Sequence, residues 1–137
     1  MKKYILSLDE LNILAKIVAD EFGSGVVILR GDLASGKTTL VKAIVKYLGL
    51  DDEVTSPTFS LQHSYQNKVF HYDIYNQGLA HFISLGMLEE LEKDALHLVE
   101  WGDDKLVAIL NQAGIKNMTI DIKKISNDKR EYIICTY

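Results

Sequence analysis

Apolar and polar positions alternate along this chain in two rhythms, one of period 3.6 and one of period 2. Leu11, Leu14, Ala15, Val18 and Phe22 recur at helical spacing. They predict a helix from Leu8 to Phe22, with Ser7 or Asp9 as its cap and Gly23-Ser24-Gly25 as its end. Val26-Val27-Ile28-Leu29 is a short, continuous apolar run of the kind found in buried parallel strands. Thr39 to Leu48 returns to the helical period and stops at Gly49, a suitable C-cap.

The second half changes rhythm. Pro57, the only proline, restricts Ser56 and makes the start of 54–61 extended and irregular. Phe59, Leu61, His63 and Tyr65 then alternate as a strand, Gln66-Asn67-Lys68 turns, and Val69 to Tyr75 forms a second strand. So short a connection requires an antiparallel hairpin, because a parallel crossover needs a dozen residues or more. One or two short helices, broken near Gly86, follow from Gln77 to Asp94, with Met87, Leu88 and Leu91 facing inward. Ala95 to Glu100 is a buried strand and Lys105 to Gln112 a short helix stopped by Gly114. Met118 to Ile122 and Tyr132 to Thr136 flank the turn Ser126 to Lys129 as a second antiparallel hairpin. The pattern predicts an α/β fold: a mixed parallel and antiparallel sheet flanked by helices.

Between the first strand and the second helix lies Gly31-Asp32-Leu33-Ala34-Ser35-Gly36-Lys37-Thr38, which fits the phosphate-binding pattern G-x-x-x-x-G-K-[ST]. The glycines let the backbone turn its amide N–H groups inward as an anion nest. Lys37 adds a mobile charge for the β- and γ-phosphates, the Thr38 hydroxyl is a Mg²⁺ ligand, and the helix dipole points at the same phosphates. Strand, glycine loop and helix occur in the required order, which makes a nucleoside triphosphate the expected ligand.

Composition adds limits. At 137 residues, 47% apolar and 25% charged, the chain is expected to form one globular domain spanning 1–137. The net charge of −4 argues against autonomous nucleic-acid binding, so any RNA would be held by a partner. Cys135 has no second cysteine and is expected to be a small buried hydrophobe in a strand. No apolar run approaches the roughly 20 residues that span a bilayer, and the start Met-Lys-Lys-Tyr lacks a signal-peptide core. A cytoplasmic setting is expected.

Two acids are placed to serve a bound metal. Glu100 ends the run Leu96 to Val99 in the manner of a Walker B strand; the alternative is a solvated strand end. Asp73 shares a strand face with His71 and Tyr75; the alternative is an edge-strand charge. His71 is within reach of Asp73 but fits a structural histidine better, and His63, His81 and His97 have no ligand spacing. Trp101 either seals a sheet edge or lies near the nucleotide, while Glu89, Glu90, Glu92 and Asp94 read as a solvated helix face.

A GTPase reading fails, because Asn67-Lys68-Val69-Phe70 has Phe where guanine recognition needs an acid. A small-molecule kinase normally clamps the moving phosphoryl group with several arginines. This chain has only Arg30 and Arg130, so that reading is the weaker alternative.

Four segments then coincide, in order and spacing: Gly31 to Thr39, Thr55 to Leu61, His71-Tyr72-Asp73-Ile74-Tyr75, and Leu98-Val99-Glu100-Trp101. Together they resemble the TsaE (YjeE) family over nearly the whole chain. The resemblance implies a small, weakly active Mg²⁺-dependent ATPase that works with TsaB and TsaD to make threonylcarbamoyladenosine at position 37 of tRNA. In that scheme TsaD carries the transfer chemistry. It implies nucleotide contacts from Asp32, Leu33, Ala34, Ser35, Gly36, Lys37, Thr38, Thr39, Trp101 and Arg130. It also implies a switch-like loop at Ser56, Pro57, Thr58 and Phe59, Mg²⁺ held through Thr38, Glu100 and Asp73, and catalysis by Lys37, Asp73 and Glu100. One departure is Asn76, where the family often has Arg.

Overall fold

The two rhythms fold into three layers, a sheet between two sets of helices. The computed structural model describes residues 1–32, 35–50, 62–75 and 78–136. Strands β1 (Lys2–Ser7), β2 (Gly25–Arg30), β3 (Gln62–Tyr65), β4 (Val69–Asp73), β5 (Leu96–Glu100), β6 (Asn117–Lys124) and β7 (Lys129–Thr136) lie in the order β1-β7-β6-β2-β5-β4-β3. The central pairs β6–β2, β2–β5 and β5–β4 are parallel. The outer pairs β1–β7, β7–β6 and β4–β3 are antiparallel. The mixed sheet and both hairpins agree with the sequence pattern. Between the paired Tyr65 and Val69, Gln66 and Asn67 take left-handed φ of 55° and 57°, and the Lys68 N–H closes the turn by donating to the Tyr65 carbonyl at 3.0 Å.

The chain's first strand is not legible in the apolar pattern. β1 pairs with β7 at the sheet edge and buries Leu6 alone, so it carries almost no hydrophobic signal. The predicted helix from Leu8 to Phe22 is also less regular than its spacing suggests. It comprises a 3₁₀ turn (Leu8–Glu10), helix α1 (Asn12–Lys16) and a π-helical turn (Ile17–Phe22). Its start is held at Ser7, whose N–H and hydroxyl both donate to the Glu10 carboxylate at 2.9 and 3.0 Å.

Helix α2 (Lys37–Tyr47) packs beside α1 on one face of the sheet. Helices α3 (Gly78–Ser84), α4 (Met87–Glu90) and α5 (Asp104–Gln112) supply the other face. The period of two divides the strands between these layers. Val27, Leu29, Leu96, Leu98 and Val69 face α2, whereas Val26, Ile28, Val99, Phe70 and Tyr72 face the opposite layer. Gly86, at φ 76°, makes the expected break between α3 and α4. Asp103 caps α5 by accepting from the Leu106 N–H at 3.0 Å.

Two smaller expectations change. Cys135 lies in β7 but is partly exposed, because its side of that strand carries no helix layer. Strand β4 ends at Asp73 rather than Tyr75: the Asp73 Oδ1 atom accepts the Tyr75 N–H at 3.0 Å and turns the chain outward. Among the described residues, no helix is long and apolar enough to cross a membrane. Leu33, Ala34, the Ser56 to Phe59 loop and Asn76 lie outside the described residues.

Candidate nucleotide site

Parallel strands deliver their carboxyl ends to one rim of a sheet, and ligands bind there. In this chain the ends of β2, β4 and β5 open beside the N-terminus of α2. A cavity of about 400 Å³ lies at this rim, lined by Gly36, Lys37, Thr38, Thr39, Asp73, Glu100, Trp101 and Arg130, with Leu8 and Tyr132 at its side. Leu8 and Tyr132 were not foreseen as site residues, since both read as ordinary apolar positions.

The loop between β2 and α2 is set by its glycines. Gly31 has φ 155°, and a Cβ there would sit 2.6 Å from the Ile122 carbonyl oxygen and 2.4 Å from the Ser35 hydroxyl. Gly36 has φ 113° and begins α2. These conformations bring the loop back on itself, so that the Lys37 ammonium donates to the carbonyls of Gly31 and Asp32 at 2.6 and 2.9 Å. Its Nζ atom also stands 3.8 Å from the centre of the Trp101 ring. Burial pushes the Lys37 ammonium below the ordinary lysine pKa, against the opposing pull of Glu100, Asp73 and Asp32.

Trp101 lines the cavity beside Lys37. Its φ of 71° is unusual for a bulky residue. The turn swings the ring out of β5 and across the cavity, where Tyr75 packs against it with centroids 4.5 Å apart.

The acids separate into two environments. Glu100 is 3% exposed, which removes the solvated-strand-end alternative. Its carboxylate accepts from the Thr38 hydroxyl, at 3.2 Å through Oε1 and 3.0 Å through Oε2. Asp73 is its register neighbour on β4, half-buried at the open side of the same cavity. Asp73 is thus a rim carboxylate on an inner strand, not an edge-strand charge, because β3 covers the outside of β4.

His71 is the buried structural histidine its position suggests, and its partner is Glu100. It shares a face with Asp73, as the alternation predicts, but its ring nitrogen Nε2 pairs with Glu100 Oε2 at 2.5 Å. The partner was hidden because nothing local shows that β5 lies beside β4. Glu90, read as part of a solvated face, is held by Lys93 at 2.6 Å and by Gln62 at 3.4 Å. Asp32 is exposed and lines a neighbouring hollow with Arg30, Gly102 and Asp103; its carbonyl, not its carboxylate, reaches Lys37. Ser35 is buried beside Lys37, and Arg130 donates to the Ser35 carbonyl at 3.0 Å.

Hydroxyl and carboxylate oxygens are the donor set a hard cation such as Mg²⁺ takes. Among the described residues, no three His, Cys, Asp or Glu side chains gather into a metal cage.

A glycine-bounded loop between a buried strand and a helix, with Lys37 and Thr38 at the helix start, defines a P-loop nucleotide-binding protein. Within that class the chain belongs to the TsaE family. The family model described as threonylcarbamoyl adenosine biosynthesis protein TsaE matches residues 6–132. The tRNA threonylcarbamoyladenosine biosynthesis protein TsaE of Treponema pallidum is 31% identical over 112 residues, covering 80% of each chain. That of Bacillus subtilis is 33% identical over 127 residues, 90% of this chain and 77% of the relative. The crystal structure of Bacillus subtilis YdiB superposes with a TM-score of 0.70 at 28% identity, covering 98% of this chain and 84% of that one.

Proposed function

We propose that this chain binds ATP with Mg²⁺ and hydrolyses it in support of threonylcarbamoyl transfer to adenosine 37 of tRNA, acting with TsaB and TsaD. The observation that carries the reading is the convergence of Lys37, Thr38, Asp73 and Glu100 on one cavity at the start of α2. The loop amides of Asp32 to Thr39 and the Lys37 ammonium bind the phosphates. Thr38 and Glu100, with Asp73 as a further acid at the rim, would hold Mg²⁺, which when bound would supply charge neutralisation for the phosphate oxygens. Asp73, at the open side of the cavity, is also placed to orient an attacking water. Trp101 and Arg130 close the nucleotide's flanks, and the Ser56, Pro57, Thr58 and Phe59 loop answers to the γ-phosphate. All of this lies in one domain, 1–137, working in the cytoplasm.

The kinase reading is less favoured for a reason of geometry. Arg30 is engaged by Asp104 at 3.0 Å and the Gly102 carbonyl at 3.0 Å. Arg130 is engaged by the carbonyls of Ser35, Ser126 and Lys129. Neither serves as a mobile phosphoryl clamp, so turnover is expected to be slow alone and faster with the partners. The test is release of inorganic phosphate from ATP, with and without TsaB and TsaD. Glu100→Gln is expected to lower the stimulated rate by about 100-fold, roughly 2.7 kcal/mol of barrier. Full stimulated turnover in that variant would remove Glu100 from the metal site, and label transferred to a metabolite would restore the kinase reading.

A further inference from the structure

His71 is wholly buried on β4, on the sheet face turned toward α2. Burying an imidazole costs free energy unless its polar atoms are bonded. Its Nε2 atom meets Glu100 Oε2, and Nδ1 has no hydrogen-bond partner. Among the described residues, Glu100 is therefore the side chain that the polarity of His71 serves. The two lie on adjacent parallel strands, where His71 is level with Leu98 and reaches diagonally to the residue two places on.

The Glu100 oxygens are not equivalent. Oε2 is held by His71 at 2.5 Å and Thr38 at 3.0 Å, while among the described residues Oε1 has the longer Thr38 contact of 3.2 Å. The side chain has three rotatable bonds, and the Thr38 hydroxyl must turn away if it is to ligate a cation. The imidazole, by contrast, is fixed on a strand paired on both sides. It fastens Oε2 on the protein side and leaves Oε1 with accepting capacity.

We propose that His71 is a positioning residue that fixes the Glu100 carboxylate for Mg²⁺, an inference that rests on the Mg²⁺-nucleotide reading of the site. Partners of this kind orient a ligand without touching the metal, and losing one typically costs 10- to 100-fold in metal affinity. His71 acts through Glu100 and does not touch nucleotide.

The test compares His71→Gln with His71→Asn in the full chain, measuring binding of a non-hydrolysable ATP analogue in EDTA and across a Mg²⁺ titration. Gln extends its amide about as far as Nε2, whereas Asn stops near Nδ1, and both are polar and uncharged. His71→Asn is expected to raise the Mg²⁺ midpoint about tenfold or more. Affinity in EDTA stays at the wild-type value, because the loop amides and Lys37 are untouched. His71→Gln stays within about threefold of wild type. Equal Mg²⁺ midpoints in all three proteins would overturn the proposal, as would a fall in affinity for Asn that is the same in EDTA and in Mg²⁺. If Asn fails to fold, His71→Leu, which fills the space without a polar atom, takes its place: a raised Mg²⁺ midpoint with unchanged affinity in EDTA supports the proposal, and a wild-type midpoint overturns it. A wild-type protein whose affinity ignores Mg²⁺ would defeat the metal reading itself, and this inference with it.

Discussion

Lys37 shows how a functional group costs its protein stability. It is 5% exposed, and its charge is offset by two backbone carbonyls and the face of Trp101. Desolvation nevertheless pushes its pKa down, so the folded chain disfavours the charged form. Phosphate oxygens would supply the partner that form lacks. Lys37→Met keeps the length of the side chain and removes the charge. It is expected to weaken ATP binding by at least about tenfold, or about 1.4 kcal/mol, in a calorimetric titration. The same substitution is expected to change unfolding stability by less than about 1 kcal/mol, because the lost hydrogen bonds are balanced by relief of a buried charge. The placing of Lys37 and Thr38 at the start of α2 was legible because one contiguous segment carries it. The bond between His71 and Glu100 was not, since it joins residues 29 positions apart.

The glycine loop depends on the strand beside it as well as on its own residues. Gly31 lies where β2 leaves the sheet, against the Ile122 carbonyl of β6. Gly31→Ala would press a methyl group into backbone 2.6 Å away, in a conformation that side chains rarely adopt. It is expected to cost about 3 kcal/mol, lowering Tm by roughly 10 °C or more in a thermal melt. Gly114→Ala is the matching control: its φ is 72° but no atom lies within 4 Å of the added carbon. Backbone strain alone should cost it about 1 kcal/mol. Most elements could be read from periodicity because each buries one face. β1 and the π-helical turn escaped, the first because it buries only Leu6 and the second because its apolar spacing is that of an ordinary helix.

Across the whole molecule, His97 ties the outer half of the sheet to the turn that follows α4. It is fully buried, with Nε2 donating to the Lys93 carbonyl at 2.9 Å. The Tyr72 hydroxyl therefore donates to Nδ1 at 2.7 Å, and Gln62 donates to that hydroxyl at 3.1 Å. Burial holds the His97 pKa below its ordinary 6.5, chiefly by desolvation, and raises that of Tyr72 so that it remains a donor. The unfolded chain binds a proton that the folded chain refuses. Stability from this group is therefore complete above about pH 6.5 and is lost as the pH falls below it, at up to about 1.4 kcal/mol per pH unit. Urea midpoints should decline from pH 7 to 5.5, and His97→Gln should flatten that decline. A second loss belongs to Glu10 and Glu90, whose pKa values lie below 4.5, and it begins only at lower pH.

Local order decided what could be read directly. A strand, a glycine loop and a helix are consecutive, and the anion nest between them is a property of neighbouring residues, so the phosphate site stood in the chain itself. The two hairpins were legible for the same reason, since a short turn allows one pairing only. The order of the strands was decided by tertiary structure. Placing β2 between β6 and β5, and β5 beside β4, brings Glu100 under Thr38 and His71 onto Glu100. Strand order depends on how both sheet faces bury their apolar side chains together, and no single segment carries that information.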